Sequence, residues 1–216
     1  MTKQKKNIVL IGGGGHCKSC IEVIESTGIY NIIGILDLPS ELGKKVLGYE
    51  VIGNDDDYLR YREEGCCFLI TAGQIKSAGL RRRIFCKLES IGAEIETVIA
   101  STAKVSINAK IRKGTIVMHQ SFINAGVNIG ENCIINTRAL VEHDTVIGSH
   151  SHLSTNAVVN GDCKVGNEVF IGSASCIANG ITLNDNVVIG SGSNVIRNII
   201  SEGVYLGNPA KKIANE

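Results

Sequence analysis

The stretch that begins at residue 99, IASTAKVSINAKIRKGTIV, decides the fold because an aliphatic residue occupies every sixth position. The period holds for seventeen consecutive hexads. Its members are Ile99, Val105, Ile111, Val117, Ile123, Ile129, Ile135, Val141, Ile147, Leu153, Val159, Val165, Ile171, Ile177, Leu183, Ile189 and Val195. A fixed short period indicates one small unit stacked on itself, and a period of six residues is typical of a β-helix.

A second position, four residues after each aliphatic residue, is usually small, as in Ala103, Ala109 and Thr115. Gly, Ala or Asn, which tolerate sharp turns, often follows the aliphatic residue directly. We therefore predict three short strands and three corners in each coil of eighteen residues. About five and a half such coils would stack into a triangular prism with a core of Ile and Val.

The hexads resemble those of the left-handed β-helix hexapeptide-repeat acyltransferases. The left-handed coil is implied by this resemblance, since the period alone does not set the handedness. Past Ile200 the hexads stop, and Gly207-Asn208-Pro209-Ala210-Lys211 resembles the closing segment of many such enzymes. In that family the tail covers the last coil and so protects its strand edges.

The composition of the 216 residues bounds the class of protein. A hydrophobic fraction of 44% supports a sizeable core, in one large domain or two modest ones. A net charge of +1 and an aromatic fraction of 4% argue against a nucleic-acid-binding surface. We interpret the basic run 81–83 as a solvated helix face. No apolar run approaches the ~20 residues of a transmembrane helix, and no signal peptide is evident, so we expect a cytoplasmic protein.

The eight cysteines are scattered through predicted helices and core positions of the repeat. We interpret them as reduced, packed thiols. Cys17 and Cys20 are separated by two residues, but no second such pair follows, so the sequence predicts no metal site.

Strands and helices alternate before the hexads begin. This order predicts a Rossmann-like α/β domain with a small parallel sheet over residues 1–98, followed by a β-helix with a capping tail over residues 99–216. The predicted strands are 7–11, 32–36, 67–72 and 94–98. The predicted helices follow His16 to about residue 27, cover about 55 to 64 after a lead-in at 48–53, and run from 77 to 91.

The first predicted strand ends in four glycines and His16. A glycine loop between a strand and a helix can bind phosphate through free backbone N–H groups. An NAD site is the weaker interpretation, because Cys17 occupies the place of the third glycine of the dinucleotide fingerprint. A plain structural turn is a further alternative.

The N-terminal domain also resembles the sugar-binding domain of these acyltransferases. The resemblance implies a nucleotide-linked sugar with its base or ribose near Asp37, although Leu38 stands where the family often has a second acidic residue. The residues it assigns to the phosphates are Gly13, Gly14, Gly15 and His16.

Ionisable residues interrupt the repeat at Glu142, His143 and Asp144. This stretch resembles the sialic-acid O-acetyltransferases and the nucleotide-aminosugar N-acetyltransferases of bacterial glycan synthesis. Acyl transfer from a thioester requires a base, and a neutral imidazole with a pKa near 6.5 suits that role. Asp144 or Glu142 would orient His143, and the resemblance favours Asp144. A solvated His beside a surface carboxylate is the alternative.

His152 follows His143 by one and a half hexads, so the two side chains should leave different faces of one prism. We therefore expect a shared site to be built by neighbouring subunits. In the N-acetyltransferases the equivalent histidine lies near the acceptor, which favours an amine acceptor here. His150 and His119 are interpreted as exposed repeat positions.

Gly161 stands eighteen residues after His143, one coil further on. It would let a thioester approach and offer its N–H to the developing oxyanion, or it is simply a corner glycine. The resemblance also implies a groove of small residues for the pantetheine arm of CoA. Its predicted members are Gly172, Ser173, Ala178, Gly190 and Ser191.

The sequence therefore predicts an acetyl-CoA-dependent sugar acyltransferase that transfers its acyl group directly, without a covalent intermediate. Its expected acceptor is the amine of a nucleotide-linked aminosugar in bacterial surface-glycan biosynthesis, and the resemblance implies a homotrimer. Alternatives are O-acetylation of a sialic acid, a non-catalytic β-helix scaffold and an NAD-dependent oxidoreductase. We expect no nucleic-acid partner and no membrane insertion.

Overall fold

The computed structural model describes residues 4–75 and 77–213. The chain divides into two compact units. The first runs to Gly73 and resumes over Gly79–Ser101, and the second comprises Gln74–Ala78 and the chain from Thr102 onward.

The first unit is a five-stranded sheet with helices between its strands. The strand order is β3-β4-β2-β1-β5, in which β3 alone pairs in the antiparallel sense. Short 3₁₀ turns cover Pro39–Glu41 and Asp55–Asp57. The elements are β1 (Lys6–Ile11), α1 (Gly15–Thr27), β2 (Tyr30–Leu36), β3 (Lys45–Val46), β4 (Tyr49–Gly53), α2 (Tyr58–Glu63), β5 (Cys67–Ile70), α3 (Gly79–Ser90) and β6 (Val98–Ile99).

Burial on both sides of the parallel sheet explains its apolar strands. All four residues of β5 are buried, as is β1 from Ile8 onward, as expected when helices cover both faces. Helix α1 packs its apolar side through Cys17, Cys20 and Ile21. It ends at Gly28, which adopts a φ of 70° and donates its N–H to the carbonyl oxygen of Glu25. The predicted parallel α/β sheet is confirmed.

Two expectations for the first unit are wrong. Residues 94–98 do not form one continuous strand, since Ile95 pairs with Phe68 as an isolated bridge and regular strand structure begins only at Val98, in β6. The interpretation of 81–83 as a solvated face fails at Arg81, which is 1% exposed. Its Nη1 atom donates to the carbonyl oxygens of Ile70 and Ala72 at 2.7 and 2.8 Å. This cation therefore pairs with carbonyl groups at the end of β5.

The second unit is a parallel β-helix with three faces. Strands in neighbouring coils pair in register eighteen residues apart, as Phe122 pairs with Leu140. Face 1 consists of Lys104–Val105, Phe122–Ile123, Leu140–Val141, Val158–Val159, Cys176–Ile177 and Asn194–Val195. Face 2 consists of Lys110–Ile111, Asn128–Ile129, Val146–Ile147, Lys164–Val165 and Thr182–Leu183. Face 3 includes Ile116–Val117, Ile134–Ile135, His152–Leu153, Phe170–Ile171, Val187–Ile189, Gly203–Leu206 and Lys211–Lys212.

The hexad positions form the core of the β-helix, as predicted. The aliphatic residues from Val117 to Val195 are all buried, whereas Val105 and Ile111 are only partly buried. Ile99 is 38% exposed, so the prediction of a core residue is wrong at the first hexad. A residue at the end of a stack has no coil beyond it to complete its burial.

Some of the small inward residues are Ser or Thr, and their hydroxyl groups form hydrogen bonds within the prism. Thr145 Oγ1 donates to the carbonyl oxygen of Asn160 at 2.8 Å, and Ser151 Oγ donates to that of Gly166 at 3.0 Å. These bonds join successive coils inside the prism and avoid the cost of an unpaired buried donor.

The C-terminal tail adds two strands to face 3. Gly203–Leu206 pairs with Val187–Ile189, and Lys211–Lys212 returns antiparallel to it. The tail therefore occupies edge positions that would otherwise be unpaired. Among the helices of the described residues, none has the length and apolar character needed to span a membrane.

All eight cysteines are free thiols, six of them buried. Cys176 is partly buried and Cys86 is exposed on α3. Burial raises the pKa of Cys17 to about 11 and that of Cys67 to about 12. These thiols are therefore protonated at neutral pH and are poor nucleophiles.

Candidate active site

The corner between faces 1 and 2 presents the ionisable residues of the repeat. Val141 and Thr145 point into the core on either side of it and are fully buried. The intervening residues therefore lie on the outside of the prism. The side chains of His143 and Asp144 are 51% and 63% exposed in the single chain.

His143 and Asp144 form a hydrogen-bonded pair in which Nδ1 lies 3.0 Å from Oδ2. An ionised carboxylate only accepts, so Nδ1 carries the hydrogen and Nε2 is the basic nitrogen. Within residues 4–75 and 77–213, no hydrogen bond engages Nε2. The corner therefore offers an imidazole with a fixed tautomer and an open lone pair.

Glu142 has a different partner. Its Oε2 atom accepts from Nδ2 of Asn124 at 2.7 Å, and the N–H of His143 approaches the same oxygen at 3.4 Å. The carboxylate does not contact the imidazole. Of the two acidic neighbours of His143, Asp144 is thus the one in contact with the ring.

The pKa of His143 is raised above its ordinary value. The hydrogen bond to Asp144 is the largest cause, desolvation opposes it, and the negative charges of Asp144, Asp162 and Glu142 add to the increase. An imidazolium beside carboxylates is stabilised, so the ring is a stronger base than a free histidine.

Asp162 was not among the predicted site residues. It follows Asp144 by eighteen residues, so the period that placed Gly161 beside His143 could also have found it. One ligand atom each from His143, Asp144 and Asp162 lie within 4.8 Å of one another, a spacing that a divalent cation could bridge. All three side chains are exposed, and water can solvate each of them separately.

Gly161 lies against the imidazole of His143. A Cβ atom at this position would be 2.6 Å from Nε2 and 2.7 Å from Cε1, so any side chain here would displace the ring. The predicted neighbourhood of His143 and Gly161 is therefore present. The predicted contact of Gly161 with a thioester stays a prediction.

His152 lies on face 3, away from the corner of His143. It is 6% exposed, and its ring meets that of Phe170 edge-on at 5.2 Å. Nδ1 lies 2.6 Å from the carbonyl oxygen of Gln74 and therefore donates to it. Nε2 lies 3.2 Å from Nδ2 of Asn136 and accepts. Both ring nitrogens are engaged in the single chain.

The other two repeat histidines bond to neighbouring coils. His150 Nδ1 lies 2.9 Å from Nδ2 of Asn132, and His119 Nδ1 lies 2.8 Å from Oγ1 of Thr102. Both residues are partly buried rather than exposed.

The predicted CoA residues fall on two corners. Ala178 and Gly161 share the corner of His143, after strands of face 1. The other four follow strands of face 3 and so lie on the corner between faces 3 and 1: Gly172, Ser173, Gly190 and Ser191. Gly172 packs under the backbone of Ser191, and Gly190 packs under Leu206. The two sets therefore lie on different corners of the prism.

The glycine loop of the first unit is shaped by Asp37. Its Oδ2 accepts from the N–H of Gly13 at 2.6 Å, and its Oδ1 accepts from that of Leu38 at 2.7 Å. Gly12 adopts a φ of 100°, and a Cβ there would lie 2.8 Å from the backbone nitrogen of Ala72. Close packing of β1 against the chain after β5 thus requires glycine at this position.

The glycine loop leads into helix α1, and no side chain caps the N-terminus of this helix. A Cβ at Gly14 or Gly15 would meet nothing within 4 Å, so the backbone is accessible there. The N–H groups and the dipole of a helix N-terminus favour a phosphate group. His16, also predicted to bind phosphate, is partly buried in the first turn.

A cavity of about 560 Å³ lies beside the loop. Gly14 and Asp37 line it, together with Asn54, Asp55 and Asp56, which the sequence did not point to. Carboxylates on this wall suit hydroxyl and N–H donors of a ribose or base, and they repel phosphate toward the helix N-terminus.

A β-helix with a His-Asp pair at one corner and a parallel α/β unit with a glycine loop together define the class. The chain belongs to the left-handed β-helix hexapeptide-repeat family of bacterial sugar acyltransferases. The predicted fold, family and enzyme class are confirmed.

The particular relatives are one family of N-terminal domains and two solved acetyltransferases. Residues 7–88 match the PglD N-terminal domain family. PerB from Caulobacter crescentus, solved with CoA and GDP-perosamine, is 31% identical with a TM-score of 0.89, over 96% of this chain and 97% of that chain. The acetyltransferase domain of PglB from Neisseria gonorrhoeae FA1090 is 28% identical with a TM-score of 0.89, over 97% and 100%. That domain is also solved with acetyl coenzyme A. No curated protein sequence matches the chain.

Proposed function

We propose that this acyltransferase transfers the acetyl group of acetyl-CoA to the amine of a nucleotide-linked aminosugar, in the cytoplasm, for bacterial surface-glycan synthesis. The observation that carries the proposal is the His143-Asp144 pair with its open Nε2 atom. The complexes of the relatives support the donor and the class of acceptor, since PerB is solved with CoA and GDP-perosamine.

His143 is the general base of the proposed reaction. The acceptor nitrogen attacks the thioester carbonyl carbon, and Nε2 takes a proton from that nitrogen. The C–S bond then breaks, and the leaving CoA sulfur takes the proton back from Nε2, which restores the neutral imidazole. Asp144 holds the tautomer and stabilises the imidazolium while it exists.

Gly161 is proposed to face the thioester. It is buried beside Nε2, and the absence of a side chain leaves room for an acyl group next to the base. Its position one coil beyond His143 suits a donor that runs along this corner toward the C-terminus.

The corner continues to a basic cluster. Arg197 stands three coils beyond His143 in the same column, about 14 Å away at the ~4.8 Å spacing of paired strands. With Lys211 and Lys212 it lines a cavity of about 430 Å³. An extended pantetheine arm covers a comparable distance, so we assign these cations to the phosphates of CoA.

The first unit is proposed to hold the nucleotide of the acceptor. The diphosphate would meet the backbone of Gly13, Gly14, Gly15 and His16 at the start of α1, and the base or ribose would occupy the 560 Å³ cavity. Asp37 serves this site by fixing the loop, because both of its oxygens bond to backbone N–H groups.

We propose a homotrimer in which neighbouring chains complete the site. Phe122 on face 1 and Val146 on face 2 are 41% and 43% exposed apolar side chains on the two strand columns beside the corner of His143. A second chain would cover this surface and exclude water from the base. It would also bring the corner between faces 3 and 1, with Gly172, Ser173, Gly190 and Ser191, to the donor. His152 is proposed to act on the acceptor side.

A thiol-release assay tests the proposal. The protein is supplied with acetyl-CoA and a panel of nucleotide aminosugars, nucleotide sugars without an amine, and sialic acids. We expect turnover with one or more aminosugars only. Turnover with a sialic acid would instead establish O-acetylation, and no turnover with any aminosugar would overturn the proposed acceptor.

A further inference from the structure

The corner of His143 contains a glycine that the proposed mechanism does not use. Gly126 precedes Asp144 by eighteen residues and so lies in the same corner, one coil earlier. A Cβ atom at Gly126 would overlap Oδ1 of Asp144 and would lie 3.2 Å from its Cγ. The carboxylate of Asp144 therefore occupies the space that a side chain at 126 would fill.

The backbone conformation does not explain this glycine. Gly126 has a φ of +75°, but side chains occupy equivalent corner positions with positive φ elsewhere in the prism. Arg138 has a φ of 61° and His150 a φ of 59°. Another corner glycine, Gly180, has a φ of +69° and nothing within 4 Å of an added Cβ. What distinguishes Gly126 is the carboxylate packed against it.

The carboxylate would have to move furthest to admit a side chain at 126. An added Cβ would overlap Oδ1, whereas it would lie 3.3 Å from the backbone nitrogen of Asp144, which would need to shift by only a few tenths of an ångström. The N–H of Asp144 donates to the carbonyl oxygen of Ala125 at 3.0 Å, which ties the two coils together beside Gly126. The Asp144 side chain is 63% exposed and can rotate into solvent. That rotation would remove Oδ2 from Nδ1 of His143, now 3.0 Å away.

We propose that Gly126 is a positioning residue for acetyl transfer, because its missing side chain leaves the space in which Asp144 orients His143. This inference rests on the proposed function, in which His143 is the base. Gly126 touches neither substrate in this account and acts only through Asp144.

The first test compares Gly126→Ala with Gly92→Ala as its matched control. Both changes place a Cβ at a glycine with positive φ, and Gly92, after α3 in the first unit, has nothing within 4 Å of an added Cβ, so only the first displaces Asp144. We expect a similar small decrease in the thermal midpoint for both proteins. At saturating acetyl-CoA, kcat should fall about tenfold or more for Gly126→Ala and stay within twofold for Gly92→Ala. Equal losses in the two variants would overturn the proposal.

A second readout does not depend on turnover. The titration of His143 is followed by NMR, with its signal assigned by its loss in His143→Ala. Asp144, Asp162 and Glu142 are the charged groups that raise its pKa. Displacing Asp144 should lower the midpoint part of the way toward that of a free histidine, and Gly92→Ala should leave it unchanged. An unchanged midpoint in Gly126→Ala would refute the positioning role, whether or not the wild-type protein transfers acetyl groups.

A double-mutant cycle completes the test. In an Asp144→Ala background there is no carboxylate to displace, so adding Gly126→Ala should reduce kcat no further. A further tenfold loss there would show that Gly126 acts by another route. Failure of the wild-type protein to turn over any aminosugar would reject the proposed function and leave the NMR comparison intact.

Discussion

Each of the two units places an aspartate beside a predicted functional element, and the two aspartates have different partners. Asp37 accepts from the backbone N–H groups of Gly13 and Leu38. Asp144 accepts from the imidazole of His143 and otherwise faces solvent. One carboxylate shapes a loop, and the other sets the protonation of a side chain.

The difference shows that an acidic residue near a site can act in two ways. It can fix the backbone of a loop, or it can change the protonation of a neighbouring side chain. A carboxylate with both oxygens bonded to the backbone changes catalysis only by moving that backbone. A carboxylate bonded to an imidazole changes the basicity of the ring directly. Substitutions in the two units should therefore affect different kinetic parameters.

Loss of the base should have the largest effect. We expect His143→Ala to lower kcat about 100-fold or more, in the range for removal of a positioned base. The side chain is half exposed, so the thermal midpoint should barely change. The control is His119→Ala, which removes a repeat histidine bonded to Thr102 and should keep normal turnover. Near-normal turnover of His143→Ala in the thiol-release assay would reject the assignment.

Loss of the orienting carboxylate should follow. We expect Asp144→Asn to lower kcat by roughly ten- to 100-fold, because the amide cannot stabilise the imidazolium. Glu142→Gln is the matched control, since its carboxylate bonds to Asn124 and not to the ring. If both variants lose the same activity, the rate depends on the total negative charge around His143 and not on its hydrogen bond to Asp144.

In the first unit, Asp37→Ala should raise the KM for the acceptor by roughly tenfold and leave kcat near normal. The two backbone bonds it loses shape the loop and are worth about 1 kcal/mol each in stability. Asp56→Asn, on the same cavity wall, keeps the loop and serves as the comparison. A decrease in kcat with KM unchanged would contradict the division between the two aspartates.

The smallest effect is expected at the end of the corner. Arg197→Ala should raise the KM for acetyl-CoA several-fold, because an exposed ion pair with phosphate contributes about 1 kcal/mol or less. The KM for the acceptor should stay the same. Exposed Lys5 provides a control of equal charge, and its replacement by Ala should change neither constant.

The hexads predict the β-helix well because each aliphatic residue contacts its equivalent one coil away. A local period is therefore enough to place Val117 to Val195 in the core. The same period places Gly161 beside His143. It fails at Ile99, in the first hexad, because no earlier coil completes the burial of that residue.

The sequence patterns could not predict contacts between segments that are distant in the chain. Gln74 lies far from His152 in the chain, so no local sequence pattern predicts the hydrogen bond between Nδ1 of His152 and the carbonyl oxygen of Gln74. The burial of Arg81 depends in the same way on carbonyl groups at the end of β5. The acidic cavity wall at Asn54, Asp55 and Asp56 is recognisable only once the sheet brings it beside Asp37.

The most direct test of the account is the pH dependence of kcat/KM in the wild-type protein and in Asp144→Asn. A base acts when deprotonated, and the pKa of His143 is raised mainly by its bond to Asp144. The wild-type rate should therefore rise with pH through a midpoint above the ordinary histidine value of about 6.5, and Asp144→Asn should move that midpoint to lower pH. Identical midpoints in the two proteins would contradict the claim that the pair is the catalytic base.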